Sequence, residues 1–394
     1  RGDGGLLKDA DGHRFMPDYE PEKKELASRD VVSRRMEEHI AKGKGVKSRW
    51  GDHLLLDITL LGEQHIKHNL REVYEICHYF MGVDPVKDMI PVRPAQHYTM
   101  GGVRTKPTGE SPTLKGLFSA GEAACWDMHG FNRLGGNSVA ETVVAGMLVG
   151  EAIADFCDDP ANEAAIPMAA VREQVEAQAG KLAALTAGRG GEHAEALKAA
   201  MQAIMTDKVG IFRDGAKLAQ AVDELQQLLK RSRNLGVAAR NGPNPELVTA
   251  YRVQKMLKVA LAVAYGALQR TESRGAHYRQ DFPRRNDAEW LKRTLAWWKA
   301  GDDLLPTLTY EPLDVRRMEL PPGWRGYGAK DYIDHPDTPA RTEEVAKLRE
   351  RMAAEDRFAV QAALMPYQHM LPERYRGRNE RIDEPFDTRS PKAA

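Results

Sequence analysis

Apolar positions change their period along this chain, and the changes divide it into segments. Between Arg1 and about Ile90 the pattern is mixed. The run Leu54-Leu55-Leu56-Asp57-Ile58 predicts a short strand, and Glu63 to Phe80 predicts a helix closed by Gly82. Pro91 to Phe156 is dense in glycine. It carries an expected short strand at Gly116-Leu117-Phe118-Ser119-Ala120 and ends in a long helical pattern. Asp158-Asp159-Pro160-Ala161-Asn162 reads as a linker. Beyond it, Leu218, Val222, Leu225 and Leu229 share one helical face. A second long helix is expected to open with Asn244 as N-cap and Pro245 at its first position, continuing through Leu247, Tyr251, Leu257, Leu261 and Leu268. From Tyr278 onward aromatics, prolines and arginines dominate, as in Trp290, Trp297, Trp298, Trp324 and the tail Pro372-Glu373-Arg374-Tyr375-Arg376-Gly377-Arg378. No internal repeat interrupts this order.

Composition narrows the class. With 394 residues, 42% apolar and 29% charged, the chain has the material for two or three packed units. Lys+Arg and Asp+Glu both number 57, so no overall field draws it to nucleic acid or to an anionic membrane, and any basic site must be local. Three scattered cysteines, Cys77, Cys125 and Cys157, show no metal-ligand spacing and no disulfide framework, as expected of a reducing compartment. A membrane span needs roughly 20 apolar residues. The longest apolar stretch, Val139 to Phe156, is interrupted by Glu141, Gly146, Gly150, Glu151 and Asp155. The start, Arg1-Gly2-Asp3-Gly4-Gly5, lacks an initiator Met and the organisation of a signal peptide, and reads as a chain entered in mid-domain.

The candidate chemistry sits in three blocks: Arg93 to Gly102, Gly116 to Glu122, and His129-Gly130-Phe131-Asn132-Arg133-Leu134-Gly135-Gly136-Asn137-Ser138. A histidine and an arginine among glycines suit a small anion, because the guanidinium offers a planar fork to a carboxylate and glycine lets backbone approach closely. Composition alone leaves the alternative open, with His97 a satisfied loop histidine and Arg133 a surface ion pair.

The order of these blocks resembles the succinate dehydrogenase and fumarate reductase flavoprotein family, which reaches to the relative L-aspartate oxidase. Further matches are Arg1 to Gly5, Leu26-Ala27-Ser28-Arg29-Asp30-Val31-Val32-Ser33, Arg274-Gly275-Ala276-His277 and Trp290-Leu291-Lys292-Arg293-Thr294-Leu295. The tail stays outside the resemblance. It implies an α+β chain: the later half of a capping domain at 1–91, the returning segment of an FAD-binding α/β domain at 92–157, a helical domain at 163–275 and a C-terminal domain at 276–394. No GxGxxG follows a strand, so the dinucleotide-binding segment is expected to be largely absent.

By the same resemblance, Arg29 matches the catalytic arginine that passes a proton to or from the dicarboxylate, and Arg1 a second arginine in its relay. A guanidinium with a pKa above about 12 is a poor acid, so a dry pocket and a relay must help it. His97 and Arg133 match residues that grip the substrate carboxylates. The cofactor is FAD, with Tyr98, Glu122, Arg133, Asn137, Ser138 and Val139 expected against it. Glu122 would bond the ribityl chain. The helix opening at Asn137-Ser138 would turn its positive end to the flavin, or would simply be an amphipathic helix start. His129 is expected along the pocket; His65, His68 and His78 receive no function.

The implied activity interconverts succinate and fumarate. Its partners are an iron-sulfur subunit and, through the complex, a membrane anchor or cytochrome b subunit, with the protein peripheral on the cytoplasmic side of the inner membrane. Residues 165 to 270 and the aromatic, Arg-rich tail are candidate surfaces for the iron-sulfur subunit, or solvated charged faces. Two alternatives stand beside this reading: a soluble L-aspartate oxidase, against which Met100 and Gly82-Val83-Asp84-Pro85-Val86-Lys87 count, and a fragment acting only as an interaction module.

Overall fold

The computed structural model describes residues 1–49, 51–164, 166–187, 191–314 and 333–354. The expectations for Trp324 and for the tail at Pro372 to Arg378 lie outside the described residues. The chain divides into two compact units, Arg1–His97 and one that begins at Tyr98.

In the first unit, β1 (Leu6–Lys8), β2 (Leu54–Asp57) and β3 (Ile90–Val92) form an antiparallel sheet in that order. Leu6 lies opposite Asp57, and Leu54 opposite Val92. Strand β2 falls where the leucine run predicts it. Phe15, Met16 of α1 (Met16–Tyr19), and Val32 and Met36 of α2 (Arg29–His39) join Leu7 and Leu54 in one buried cluster. A second cluster gathers Ile58, Ile66, Cys77 and Ile90. Burying a side chain of this size is worth roughly 2 kcal/mol, which is what holds so small a sheet. The helix expected over Glu63 to Phe80 is interrupted. It runs as α3 (Glu63–Asn69) and α4 (Arg71–Ile76), separated by Leu70 at φ −114°, ψ 32°, and then widens into a π turn, Cys77–Met81. Gly82, left-handed at φ 66°, closes it as its lack of a Cβ allows.

The second unit opens with β4 (Val103–Arg104) paired in parallel with β5 (Ala124–Cys125), followed by the long α5 (Asn137–Asp158). No strand forms at Gly116 to Ala120. Phe118 makes a single bridge to Glu110, because left-handed Gly109 (φ 80°) and Gly116 (φ 78°) turn the backbone on either side. The linker carries one tight turn, Pro160–Asn162, capped by the Asp159 carboxylate.

Four helices follow: α6 (Met168–Ala187), α7 (Ala194–Lys208), α8 (Gly215–Arg231) and α9 (Pro245–Gln269). Leu218, Val222, Leu225 and Leu229 of α8 pack with Leu257 and Leu261 of α9 and with Leu197 and Met201 of α7 in the largest core. Helix α9 starts as its sequence directs, with Pro245 at its first position and Asn244 Oδ1 accepting from the Leu247 N–H at 3.4 Å. After α10 (Asp287–Trp290), strands β6 (Lys292–Trp297) and β7 (Thr307–Pro312) form an antiparallel hairpin; α11 (Thr338–Ala354) is the last described element. Between α9 and β6 lies a buried ionic knot. Glu272, wholly buried, accepts from Arg270 (2.6 Å) and Arg274 (2.8 Å), and Asp287 accepts from Arg274 (2.6 Å) and Arg285 (2.9 Å). Charges so buried persist only when paired this fully.

Candidate active site

The first unit carries Arg1, Arg29 and His97. Arg29 is the first residue of α2 and is exposed within its own unit, so residues 1–97 by themselves do not supply the dry surroundings an acid of this type needs. Its neighbour Ser28 turns its hydroxyl to Asp30 (2.7 Å), and Asp30 also takes Arg34 (3.0 Å). Arg1 stands close enough to Arg29 to feel its charge. Burial first, and then that like charge, push the Arg1 guanidinium below its ordinary value. The two arginines of the expected relay are thus near one another. His97, the last residue of the unit, is exposed. His65 pairs with Asp3 (3.0 Å) and His78 stacks on Tyr74 (5.4 Å), contacts that hold a surface together.

The second unit brings most of the remaining candidates together. The turn Thr99 to Gly102 presses on Glu122-Ala123. The Thr99 N–H donates to Glu122 Oε1 at 2.8 Å, and a Cβ on Gly102, at φ 133°, would sit 2.4 Å from the Ala123 carbonyl oxygen. Only glycine permits that approach. Arg133 is 6% exposed, and its guanidinium lies 5.1 Å from the centre of the Tyr98 ring. One of its terminal nitrogens donates to the Leu134 carbonyl at 2.8 Å, while Nε is buried with no hydrogen-bond partner among the described residues. An arginine so placed keeps donors free for an anion.

Helix α5 begins two residues after Leu134-Gly135. Gly136 occupies its N-cap in a left-handed conformation, and no side chain caps it; the Asn137 N–H donates to the Leu134 carbonyl at 3.3 Å, which leaves the N–H groups of Ser138 and Val139 to a ligand or to water. Its burial is inverted. The buried face is Glu141, Ala145 and Val149, whereas Val139, Val143, Val144 and Met147 are exposed.

Sequence reasoning missed three features. Glu141 accepts hydrogen bonds from Tyr98, His129 and Trp126. Asp127, the non-glycine residue at φ 78°, is held between Arg104 and Arg293. Gly275 and Ala276 brace Phe131: the Ala276 N–H donates to the Phe131 carbonyl at 3.3 Å, and a Cβ on Gly275 would lie 2.7 Å from Phe131 Cβ. Glu141 alone left a signal, as the single ionisable residue in the apolar run from Val139 to Gly150.

The residues present fit the flavin half of a dinucleotide cofactor: an uncapped helix start, a glycine turn against a carboxylate, and a buried arginine with a free donor. A family model described as FAD binding domain matches residues 1–139, and one described as fumarate reductase flavoprotein C-term matches residues 198–327. The fumarate reductase flavoprotein subunit of Helicobacter pylori is 48% identical over 98% of this chain and 57% of its own length. A solved quinol-fumarate reductase with menaquinol molecules superposes with a TM-score of 0.73 at 34% identity, over 80% of this chain and 56% of that one. Mycobacterium smegmatis Sdh1 in complex with UQ1 gives 0.64 at 34% identity, over 80% and 51%. The chain therefore spans little more than half the length of the relatives it matches. Among the described residues no helix is long and apolar enough to cross a membrane. Residues 1–139 are of the FAD-binding kind, and the chain belongs to the fumarate reductase and succinate dehydrogenase flavoprotein family.

Proposed function

We propose that the chain is the substrate-facing part of a flavoprotein subunit that interconverts succinate and fumarate. The observation that carries this reading is Arg133: a buried guanidinium on an aromatic face, with a donor left unpaired, one short turn before an open helix N-terminus. FAD, when bound, supplies the two-electron exchange with the substrate carbon. The chain's own residues do the rest. Arg133 and His97 hold the two carboxylates, and Arg29 moves a proton at the neighbouring carbon with Arg1 behind it. Glu122 and the Asn137-Ser138-Val139 start of α5 hold the cofactor's polar edge. Residues 1–91 serve as capping domain, 92–157 as flavin segment, 163–275 as helical domain and 276–394 as C-terminal domain. The exposed valine face of α5 suits packing against further parts of a flavin domain, and an iron-sulfur subunit and a membrane anchor complete the electron path.

The test uses the chain completed with the portion that the Helicobacter relative has beyond the matched segment, loaded with FAD. Succinate oxidation with an artificial acceptor and fumarate reduction with a reduced dye are both measured. Arg29→Lys keeps charge and loses the fork, and kcat should fall roughly 100-fold, the lower range for a lost proton-transfer group. Arg133→Lys should instead raise the dicarboxylate KM. Turnover of L-aspartate without dicarboxylate turnover would overturn the assignment.

A further inference from the structure

Three hydrogen-bond donors converge on one buried carboxylate. The Tyr98 hydroxyl and His129 Nε2 both donate to Glu141 Oε2 at 2.6 Å, and Trp126 Nε1 donates to Glu141 Oε1 at 2.9 Å. Glu141 is 3% exposed. Burial alone would drive such a group to its neutral form; the donors outweigh it, so the Glu141 carboxyl is held below its ordinary range, while burial and then the bond to that carboxylate push the Tyr98 phenol above its own. The site therefore holds a charged glutamate and a protonated tyrosine.

The donors come from separate parts of the chain. Tyr98 belongs to the glycine turn against Glu122, Trp126 follows β5, and His129 opens the loop that ends in Arg133. The acceptor belongs to the first turns of α5, the helix whose open start stands beside Arg133. Tyr98 makes the decisive contacts. Its ring carries the Arg133 guanidinium at 5.1 Å and meets the His129 ring edge-on, at 5.4 Å and 89°. Apart from the Leu134 carbonyl, that ring is what fixes the direction of the Arg133 fork. Glu141 touches Arg133 nowhere in these contacts, yet it sets the wall on which Arg133 lies.

We propose that Glu141 is a positioning residue for dicarboxylate binding, locking Tyr98 and His129 so that the Arg133 fork is aimed before substrate arrives. This rests on the proposed function, and preorganisation of this kind acts on binding. Replacing the carboxylate by an amide preserves shape but puts an NH2 among donors, so at least one of the three hydrogen bonds is lost and those that remain lose their charge assistance.

The experiment uses the FAD-loaded completed protein. Glu141→Gln should raise the dicarboxylate KM about tenfold while kcat changes by less than about twofold, the pattern of lost uniform binding. Tyr98→Phe keeps the ring and removes its bond to Glu141; it should raise KM similarly, and the double variant should do no worse than the poorer single one. A readout independent of turnover is the His129 side-chain N–H proton resonance, which should lose its downfield, slowly exchanging character in Glu141→Gln and keep it in Tyr98→Phe. A Glu141→Gln protein that folds and binds flavin, loses that proton signal and keeps its KM would overturn the role of Glu141, as would additive single effects. Wild-type protein that turns over no dicarboxylate would overturn the functional reading itself, and with it this role, before any variant is compared.

Discussion

His277 closes the Arg274-Gly275-Ala276-His277 motif in a setting that fixes its proton. Arg213 can only donate, so His277 Nδ1 accepts its terminal N–H at 2.9 Å, and Nε2 is left to donate to the Arg270 carbonyl at 3.2 Å. Burial first, then the Arg213 charge, push the imidazole from 6.5 to about 4. Between those two values the unfolded chain binds the proton and the folded one does not, so stability falls as pH drops from about 6.5 toward 4 and levels off below. From pH 7 to 5 the loss amounts to about 2 kcal/mol. His277→Gln offers the same acceptor and donor without a titration, and its urea midpoint should lose less between those pH values than the wild type's. Equal losses would show that His277 does not carry the effect. At this scale the sequence was partly legible. Arg133 among glycines suggests either an anion site or a surface ion pair, and its burial argues against the surface pair. Glu141 did not announce its partners, because they come from positions 98, 126 and 129, and no local spacing encodes a three-way convergence.

Elements were legible where one face is buried along the whole length. Helix α8 buries Leu218, Val222, Leu225 and Leu229, the positions its spacing selects, and α9 starts at the Asn244-Pro245 signal. The bundle thus follows from period and caps, and the α9 cap can be tested alone. Asn244→Ala removes a side-chain acceptor from the first turn and should lower stability by about 1 kcal/mol, read as a shift in the urea midpoint with unchanged slope. Helix α5 shows where periodicity fails. Its valines are the face that hydrophobic spacing would bury, and in the described fold they are exposed, while a carboxylate, an alanine and Val149 point inward. The pattern records a surface for packing, and it does not say against what. Likewise the Gly116 to Ala120 run has strand composition, yet two left-handed glycines confine it to one bridge.

Across the second unit, the segment that carries Arg104 and Asp127 is tied to the hairpin of β6 and β7 by a closed ring of four charges. Arg104 binds Asp127 (3.2 Å) and Glu311 (3.1 Å), and Arg293 binds Asp127 (2.5 Å) and Glu311 (3.0 Å). These side chains are partly exposed, from 20% to 40%, so each pair is worth about 1 kcal/mol or less and is screened by salt. The ring matters through geometry. Asp127 sits at φ 78°, a conformation that an aspartate reaches at some cost and holds only when its surroundings impose it. On either side of it, Trp126 and His129 reach Glu141. The hairpin thereby braces the loop that carries Arg133, over a sequence distance no motif could have spanned. Arg293→Gln breaks both of its ion pairs and releases Asp127 on one side. Amide exchange should quicken at residues 124 to 129 while the α8 and α9 core keeps its protection, and raising salt on the wild type should move the same amides in the same direction. Uniform acceleration through the bundle would mean that the ring stabilises the whole unit, and unchanged exchange at those amides would mean that Asp127 is held by its own loop.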